Sequence, residues 1–282
     1  MGRAPHEAQE QERPIAVASW LTALVLAALL AVTTREWLRL RARQRQRGLL
    51  RRWPIRKVPV AALDSRFHPD GLGPTRAAEV IYLGRGTIPV PGGTSDTEAW
   101  ILAALAKGAR RLFEFGTCTG KTTYLWARNQ PADGTVTTLT LAPTQLDAYR
   151  SVAGDDPAAE GHAQRESAYT RFLYSGTEVE SRVEQLYGDS KQFDETPYAG
   201  ACDVVFVDGS HALSYVVSDT AKALRMVRPG GLVLWHDYSP ECPGVFHVLN
   251  DLARRLPLVH IEGTTLVAYR QGPAAGEAAR DG

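Results

Sequence analysis

The chain is short of cysteine. Its 282 residues hold three, Cys118, Cys202 and Cys242, with no Cys-x-x-Cys pair and no zinc-ligand spacing. That argues against a disulfide framework or a zinc ribbon and fits reduced thiols in a cytosolic compartment. Excess charge of one sign is missing too: 32 Lys and Arg against 31 Asp and Glu leave a net charge of +1. Such a balance gives no electrostatic footprint for general nucleic-acid binding, so no nucleic-acid partner is expected. No internal repeat is visible, which argues against a solenoid or propeller. One glycine spacing is also wrong. Gly120-Lys121-Thr122 looks like the end of a phosphate-binding P-loop, but only Thr117, Cys118 and Thr119 separate it from Gly116. That motif needs four intervening residues, and Phe115 stands where its first glycine belongs.

What is present at this point is a strand, a glycine turn and a helix start. The apolar run at residues 111–115 contains Glu114 and is followed by Gly116 and, four residues later, Gly120. A strand that turns through glycines into a helix leaves backbone N–H groups facing a ligand, and glycine permits both close approach and positive φ. Cys118 inside this turn reads as a small space-filling residue before it reads as a nucleophile.

The N-terminal part has a different character. Residues 15–32 form an apolar run broken only by Ser19, Trp20 and Thr22. As a helix it would reach about 27 Å, close to the bilayer core. Arg35, Arg39, Arg41, Arg43, Arg45, Arg47, Arg51, Arg52, Arg56 and Lys57 follow it, against only Arg3 and Arg13 before it. The expectation is therefore an extracytoplasmic tail over residues 1–14, one transmembrane helix over 15–34 and a basic juxtamembrane segment over 35–57. This makes a single-pass cell-membrane protein with its catalytic domain in the cytoplasm. The arginines are also candidates for anionic lipid headgroups. A signal peptide would place its basic residues before the run instead.

Residues 58–93 are rich in Pro and Gly and read as a connector. Ser95 and Glu98 form a capping-box pattern that opens a helix through about Lys107, stopped by Gly108. Strand-like runs at 111–115, 135–141, 182–187, 203–207 and 232–235 alternate with helical stretches such as 220–227, which Arg228-Pro229-Gly230-Gly231 closes. Alternation of this kind predicts an α/β, Rossmann-like, doubly wound and mostly parallel sheet over residues 94–270. The runs at 258–261 and 264–269, joined by Glu262-Gly263, predict a terminal antiparallel hairpin. Residues 271–282 read as a flexible tail.

The Glu114-x-Gly116-x-x-x-Gly120 spacing resembles the first motif of class I S-adenosylmethionine-dependent methyltransferases. Tyr187-Gly188-Asp189-Ser190, Val207-Asp208-Gly209-Ser210-His211, Arg228-Pro229-Gly230-Gly231 and Trp235-His236-Asp237-Tyr238 follow in order. Together, over roughly residues 92–270, they resemble a bacterial family of small-molecule O-methyltransferases acting on sugar and antibiotic hydroxyls. The resemblance implies a seven-stranded sheet ending in the antiparallel hairpin, with S-adenosylmethionine as donor. It implies that Glu114, Gly116, Thr117 and Gly120 hold the methionine part of the donor, Glu114 facing its ammonium. Thr140 is at the ribose position, and Asp189 and Ser190 contact adenine, although Asp189 also reads as a plain turn residue. Asp208 closes the donor site from the next strand end.

Asp208 and Asp237 are the candidate ligands of a hard divalent cation such as Mg²⁺, which would orient and acidify an acceptor hydroxyl. His211 or His236 is the candidate general base. His236 is equally a candidate to complete the cation's shell, and a structural hydrogen-bonding role is open for both. One departure stands out: the second strand of such enzymes ends in an acid that binds both ribose hydroxyls, and Thr140 replaces it here. A neutral hydroxyl in place of two charge-assisted bonds costs donor affinity, by about 1–3 kcal/mol. The sequence thus supports a methyltransferase acting on a small-molecule or lipid-linked hydroxyl. The alternative is an inactive methyltransferase fold serving as a membrane-tethered binding or scaffold module.

Overall fold

The computed structural model describes residues 20, 22–39, 54–89 and 93–273. The chain divides into two compact units, Met1–Trp53 and Pro54–Gly282.

In the first unit, a helix (α1) runs over residues 22–39. The expected membrane helix is not found: no helix among the described residues is long and apolar enough to cross a membrane. Instead of ending with the apolar run, α1 continues through Arg35, Glu36 and Arg39, and Glu36 pairs with Arg39 at 2.5 Å. Charged side chains thus occupy its C-terminal turns. This corrects the transmembrane segment, the membrane as a partner and the membrane localisation together. Residues 15–19, and the arginines between 40 and 53, lie outside the described residues, as do residues 1–14 and 274–282.

Among its described residues the second unit holds ten strands and five α-helices. In chain order these are β1 (Arg56–Val58), β2 (Pro69–Asp70), β3 (Gly73–Pro74), α2 (Asp96–Ala106), β4 (Arg111–Phe115), α3 (Lys121–Asn129), β5 (Thr135–Thr140), α4 (Pro157–Glu166), β6 (Val183–Tyr187), β7 (Cys202–Val207), α5 (Leu213–Met226), β8 (Val227–Trp235), α6 (Pro243–Leu252), β9 (Val259–Ile261) and β10 (Val267–Arg270). Eight strands form one sheet in the order β1-β9-β10-β8-β7-β4-β5-β6, and β2 and β3 pair separately. The run from β8 to β6 is parallel throughout. β10 lies between β8 and β9 and is antiparallel to both, as the hairpin reading expects.

Central strands of a parallel sheet are covered on both faces, so they read as continuous apolar runs. β7 and the end of β8 do: Val205, Phe206, Val233, Leu234 and Trp235 are buried, with Phe113 beside them on β4. The sheet has eight strands where seven are expected, because β1 pairs in parallel with β9, from Arg56↔Val259 to Val58↔Ile261. Helix α5 ends at Met226, just before Arg228-Pro229-Gly230-Gly231 as expected, and those four residues also form the irregular start of β8, where the register with β7 shifts.

Helix α2 begins as its capping box predicts. Ser95 Oγ accepts from the Glu98 N–H at 3.2 Å, and Glu98 Oε2 accepts from the Ser95 N–H at 2.8 Å. Its C-terminal carbonyls are met by Arg66, whose guanidinium donates to Ala104 and Leu105 at 3.0 Å each. The Pro- and Gly-rich stretch before α2 is therefore packed against the domain, with the Phe67 ring edge-on to Trp100 at 5.1 Å. Strand order reverses between β4 and β7. In open α/β sheets, ligands bind beyond the carboxyl ends of the strands at such a switch point.

Candidate functional site

The turn after β4 is shaped by two glycines in left-handed backbone, Gly116 at φ 97° and Gly120 at φ 75°. A Cβ on Gly116 would lie 2.0 Å from the Asp208 carbonyl oxygen, so glycine here is what lets the β4 and β7 ends come together. The Gly116 N–H donates to the Leu139 carbonyl at 2.8 Å, and the Asp208 N–H donates to the Phe115 carbonyl at 2.9 Å. Three strand ends are thereby tied to one another. Gly120 caps α3 and closes against Phe172 and Tyr174.

Two cavities open at this end of the sheet. The first, of about 60 Å³, is lined by Gly116, Thr140, Ser190 and Gly209, with Tyr149 and Tyr215 along one wall. Those two rings stack at 4.6 Å and 12°. The second, of about 350 Å³, is lined by Asp208, His211, His236, Asp237 and Cys242. Cys118 and Glu166 line both, so the cavities share a wall.

Not every expected residue reaches them. Glu114 is 1 % exposed and lines neither cavity. Its Oε2 accepts from the Thr123 hydroxyl and, at 2.8 Å, from the Thr138 hydroxyl. Burial pushes its carboxyl up to about 8, against the pull of those hydroxyls. Thr117 is buried as well, 2.8 Å from the Thr138 hydroxyl. Asp189 is buried behind Ser190, and its Oδ1 accepts from the Lys191 N–H at 3.0 Å.

The central charges of the second cavity come from two adjacent strand ends, with Asp156, His162, Glu166 and Glu241 lining it from elsewhere. Asp208 follows β7, and His236 and Asp237 follow β8. Asp237 adopts φ 56°, a left-handed conformation that aspartate tolerates better than most residues. The Thr265 hydroxyl accepts its N–H at 3.3 Å. Its Oδ2 lies 2.9 Å from His211 Nε2 and 3.3 Å from His236 Nδ1. His236 Nδ1 also lies 3.0 Å from Asp208 Oδ1.

Behind His236 stands Glu98. Its Oε2 is 3.4 Å from His236 Nε2, and its Oε1 accepts from the Thr265 N–H at 2.7 Å and the Thr265 hydroxyl at 2.9 Å. The cap of α2, the β9–β10 hairpin and the end of β8 thus meet at one buried carboxylate.

Electrostatics follow from this packing. Burial raises Asp208, reinforced by neighbouring Asp237 and opposed by His236. Asp237 goes the other way: burial would raise it, but His236 and His211 hold it well below the usual range. Burial alone would lower both imidazoles, yet Asp208 and Asp237 raise His236 well above its usual value, and Asp237 pushes His211 up to about 11. Glu98 is held low by His236, Thr265 and Ser95 against the effect of burial. Glu166, half-buried and near Asp208, is pushed up to about 7, chiefly by desolvation. Each of two donor sets lies within 4.8 Å: Asp208, His236 and Asp237, and His211, Asp237 and Cys242.

The structure therefore brings together Gly116, Thr140 and Ser190 around one cavity and Asp208, His211, His236 and Asp237 around the other. Sequence reasoning missed Glu98, Glu166 and His162. Glu98 was legible only as a cap. The other two sit on α4, whose start was signalled by Asp156 before Pro157, an N-cap followed by proline at the first helical position.

Residues 113–238 match the family model described as a methyltransferase domain, a span running from β4 to the end of the Trp235–Tyr238 motif. The matched span is less than half of the chain, and it makes this part of the α/β unit similar to a methyltransferase domain. Among solved structures, the chain is similar to the O-methyltransferase TomG from Streptomyces achromogenes, involved in tomaymycin synthesis. That match has 21% identity over 64% of this chain and 82% of that one, with a TM-score of 0.43. An O-methyltransferase from Bacillus cereus gives 20% identity over 65% and 84%, at 0.42. The methyltransferase PaMTH1 from Podospora anserina gives 16% over 64% and 80%, at 0.45. Similarity at this level bears on neither substrate nor mechanism. No curated protein matches the sequence.

Proposed function

We propose that the protein transfers the methyl group of S-adenosylmethionine to a hydroxyl of a small molecule, with a divalent cation held by Asp208 and Asp237. The observation that carries this reading is the pair of cavities divided by Cys118 and Glu166, one beside the glycine turn and one beside the two carboxylates and two imidazoles. A methyl donor in the first and an acceptor in the second would meet at the shared wall, and displacement at a methyl needs mainly in-line positioning.

In this reading the Gly116–Gly120 turn offers its N–H groups to the methionine part of the donor, Thr140 takes one ribose hydroxyl, and Ser190 and Asp189 border the adenine. Glu114 acts from below, as a neutral acid that fixes the turn through Thr123 and Thr138, and does not face the donor's ammonium. Asp208, His236 and Asp237 fit a cation, since their donor atoms converge. When bound, the cation supplies Lewis acidity that lowers the pKa of the acceptor hydroxyl. Of the two imidazoles His211 is the less enclosed: it stands against Asp237, which favours its charged form, whereas His236 is enclosed between Glu98 and two carboxylates.

The test is methyl transfer from labelled S-adenosylmethionine to a panel of small hydroxyl compounds. The Asp208→Ala/Asp237→Ala double variant should lose transfer by more than about a hundredfold while still binding S-adenosylhomocysteine. Undiminished transfer by that variant refutes the cation assignment.

A further inference from the structure

We infer that the Asp208–His236–Asp237 set selects a first-row transition-metal dication of the cobalt, iron and zinc class over Mg²⁺. The inference rests on the divalent-cation reading above and goes beyond it, because it concerns what the imidazole does to the choice of ion.

The argument begins behind the site. Glu98 is fixed by Ser95 N–H at 2.8 Å and by two donors from Thr265 at 2.7 and 2.9 Å, and it faces His236 Nε2 at 3.4 Å. A carboxylate so placed can only accept, so Nε2 carries the hydrogen and Nδ1 is the atom presented to the cavity. A carboxylate behind a metal-binding histidine fixes the ring's tautomer and raises its basicity. Nδ1 then points between two carboxylate oxygens, at 3.0 Å from Asp208 and 3.3 Å from Asp237. A bare lone pair facing two oxygen lone pairs is repulsive, so something positive belongs there, either a proton or a metal ion.

The spacing accommodates either, a proton in N–H···O bonds or a metal. Donors each about 2.1 Å from one ion, in tetrahedral or octahedral arrangement, lie about 3.0–3.4 Å apart, and both measured distances fall in that range. The ring is 8 % exposed and packs beside the Phe206 ring, with centroids 6.0 Å apart and planes at 64°, so its burial restrains it from rotating away.

Chemistry then decides the ion. Mg²⁺ takes oxygen ligands and keeps its waters, whereas imidazole favours iron, cobalt, nickel, copper and zinc. On the far side of Asp237 stand His211 Nε2 at 2.9 Å and, beyond it, Cys242 Sγ at 3.8 Å from His211 Nδ1. These further nitrogen and sulfur donors favour the same class.

The experiment titrates CoCl₂ and MgCl₂ separately into the full chain, freed of metal with a chelator, by calorimetry and visible absorption. Binding of S-adenosylhomocysteine is followed in parallel as a check on the donor site. Cobalt should bind as one ion per chain, give d–d bands altered in His236→Asp, and resist displacement by excess Mg²⁺. Glu98→Gln should weaken cobalt about tenfold to hundredfold. His236→Asp, which keeps three charged or oxygen-bearing ligand positions, should narrow the cobalt-over-magnesium preference at least about tenfold. An unchanged preference in His236→Asp overturns the inference and leaves the divalent-cation reading standing. Binding of neither ion, with donor binding intact, removes both.

Discussion

Glu114 stands at the expected place with its carboxylate turned inward. Its position in the motif was legible, because glycines follow it at fixed spacing. Its surroundings were not, because Thr123 and Thr138 come from two other elements and turn the carboxylate inward. The consequence is measurable. In the unfolded chain this carboxyl titrates near 4.5, and in the folded protein near 8. Between those values the unfolded state binds fewer protons, so stability falls as pH rises, by up to about 1.4 kcal/mol per pH unit from this group. The loss is complete above the folded value and absent below about 4.5. Glu114→Gln keeps an oxygen that accepts both hydroxyls and removes the titration. Urea unfolding at pH 6 and pH 8 should show a shallower fall for the variant than for the parent chain. Equal falls contradict the burial of a neutral acid. At the same scale, Glu98 was readable as a cap because Ser95 is three residues away. Its contact with His236 bridges 138 positions, which no local spacing encodes.

Among elements, the strands that alternate with helices were legible because burial on both faces makes them apolar. β4 was placed at its observed bounds, and the terminal hairpin in its observed orientation. β1 was not seen. It is three residues long, begins Arg56-Lys57, and follows a run of arginines, so its pattern is that of a polar segment. Only Ile55 and Val58 betray it, 2 % and 3 % exposed. The α1 helix failed for the opposite reason: an apolar run was read as ending where its charges begin, whereas the helix continues through them. The edge pairing of β1 with β9 gives a second test. A chain beginning at Pro59 loses both apolar side chains and bares β9 as an edge, relative to one beginning at Pro54. The shorter chain should be less stable by about 3–6 kcal/mol and melt roughly 10 °C lower. Equal melting temperatures show that β1 contributes nothing to the sheet's stability.

For the whole molecule, topology does what composition could not reveal. The reversal of strand order between β4 and β7 places the glycine turn and the charged cavity side by side, and the sequence gives only the separate pieces of that arrangement. Helix α4 was the least readable part near the site. It brings Glu166 to the wall of both cavities and His162 to that of the second, and Asp155 ties its approach to Ser214 at the start of α5, at 2.8 Å to the N–H and 2.7 Å to the hydroxyl. These are contacts between distant segments. The residue that most tests the account is Thr140, which lines the proposed donor cavity where an acid is expected.

Calorimetric titration of S-adenosylhomocysteine into the full chain measures directly whether this cavity works as a donor site. The account predicts saturable binding in the micromolar range, weakened at least about tenfold by Gly116→Ala. Absence of binding to a chain that remains folded contradicts it.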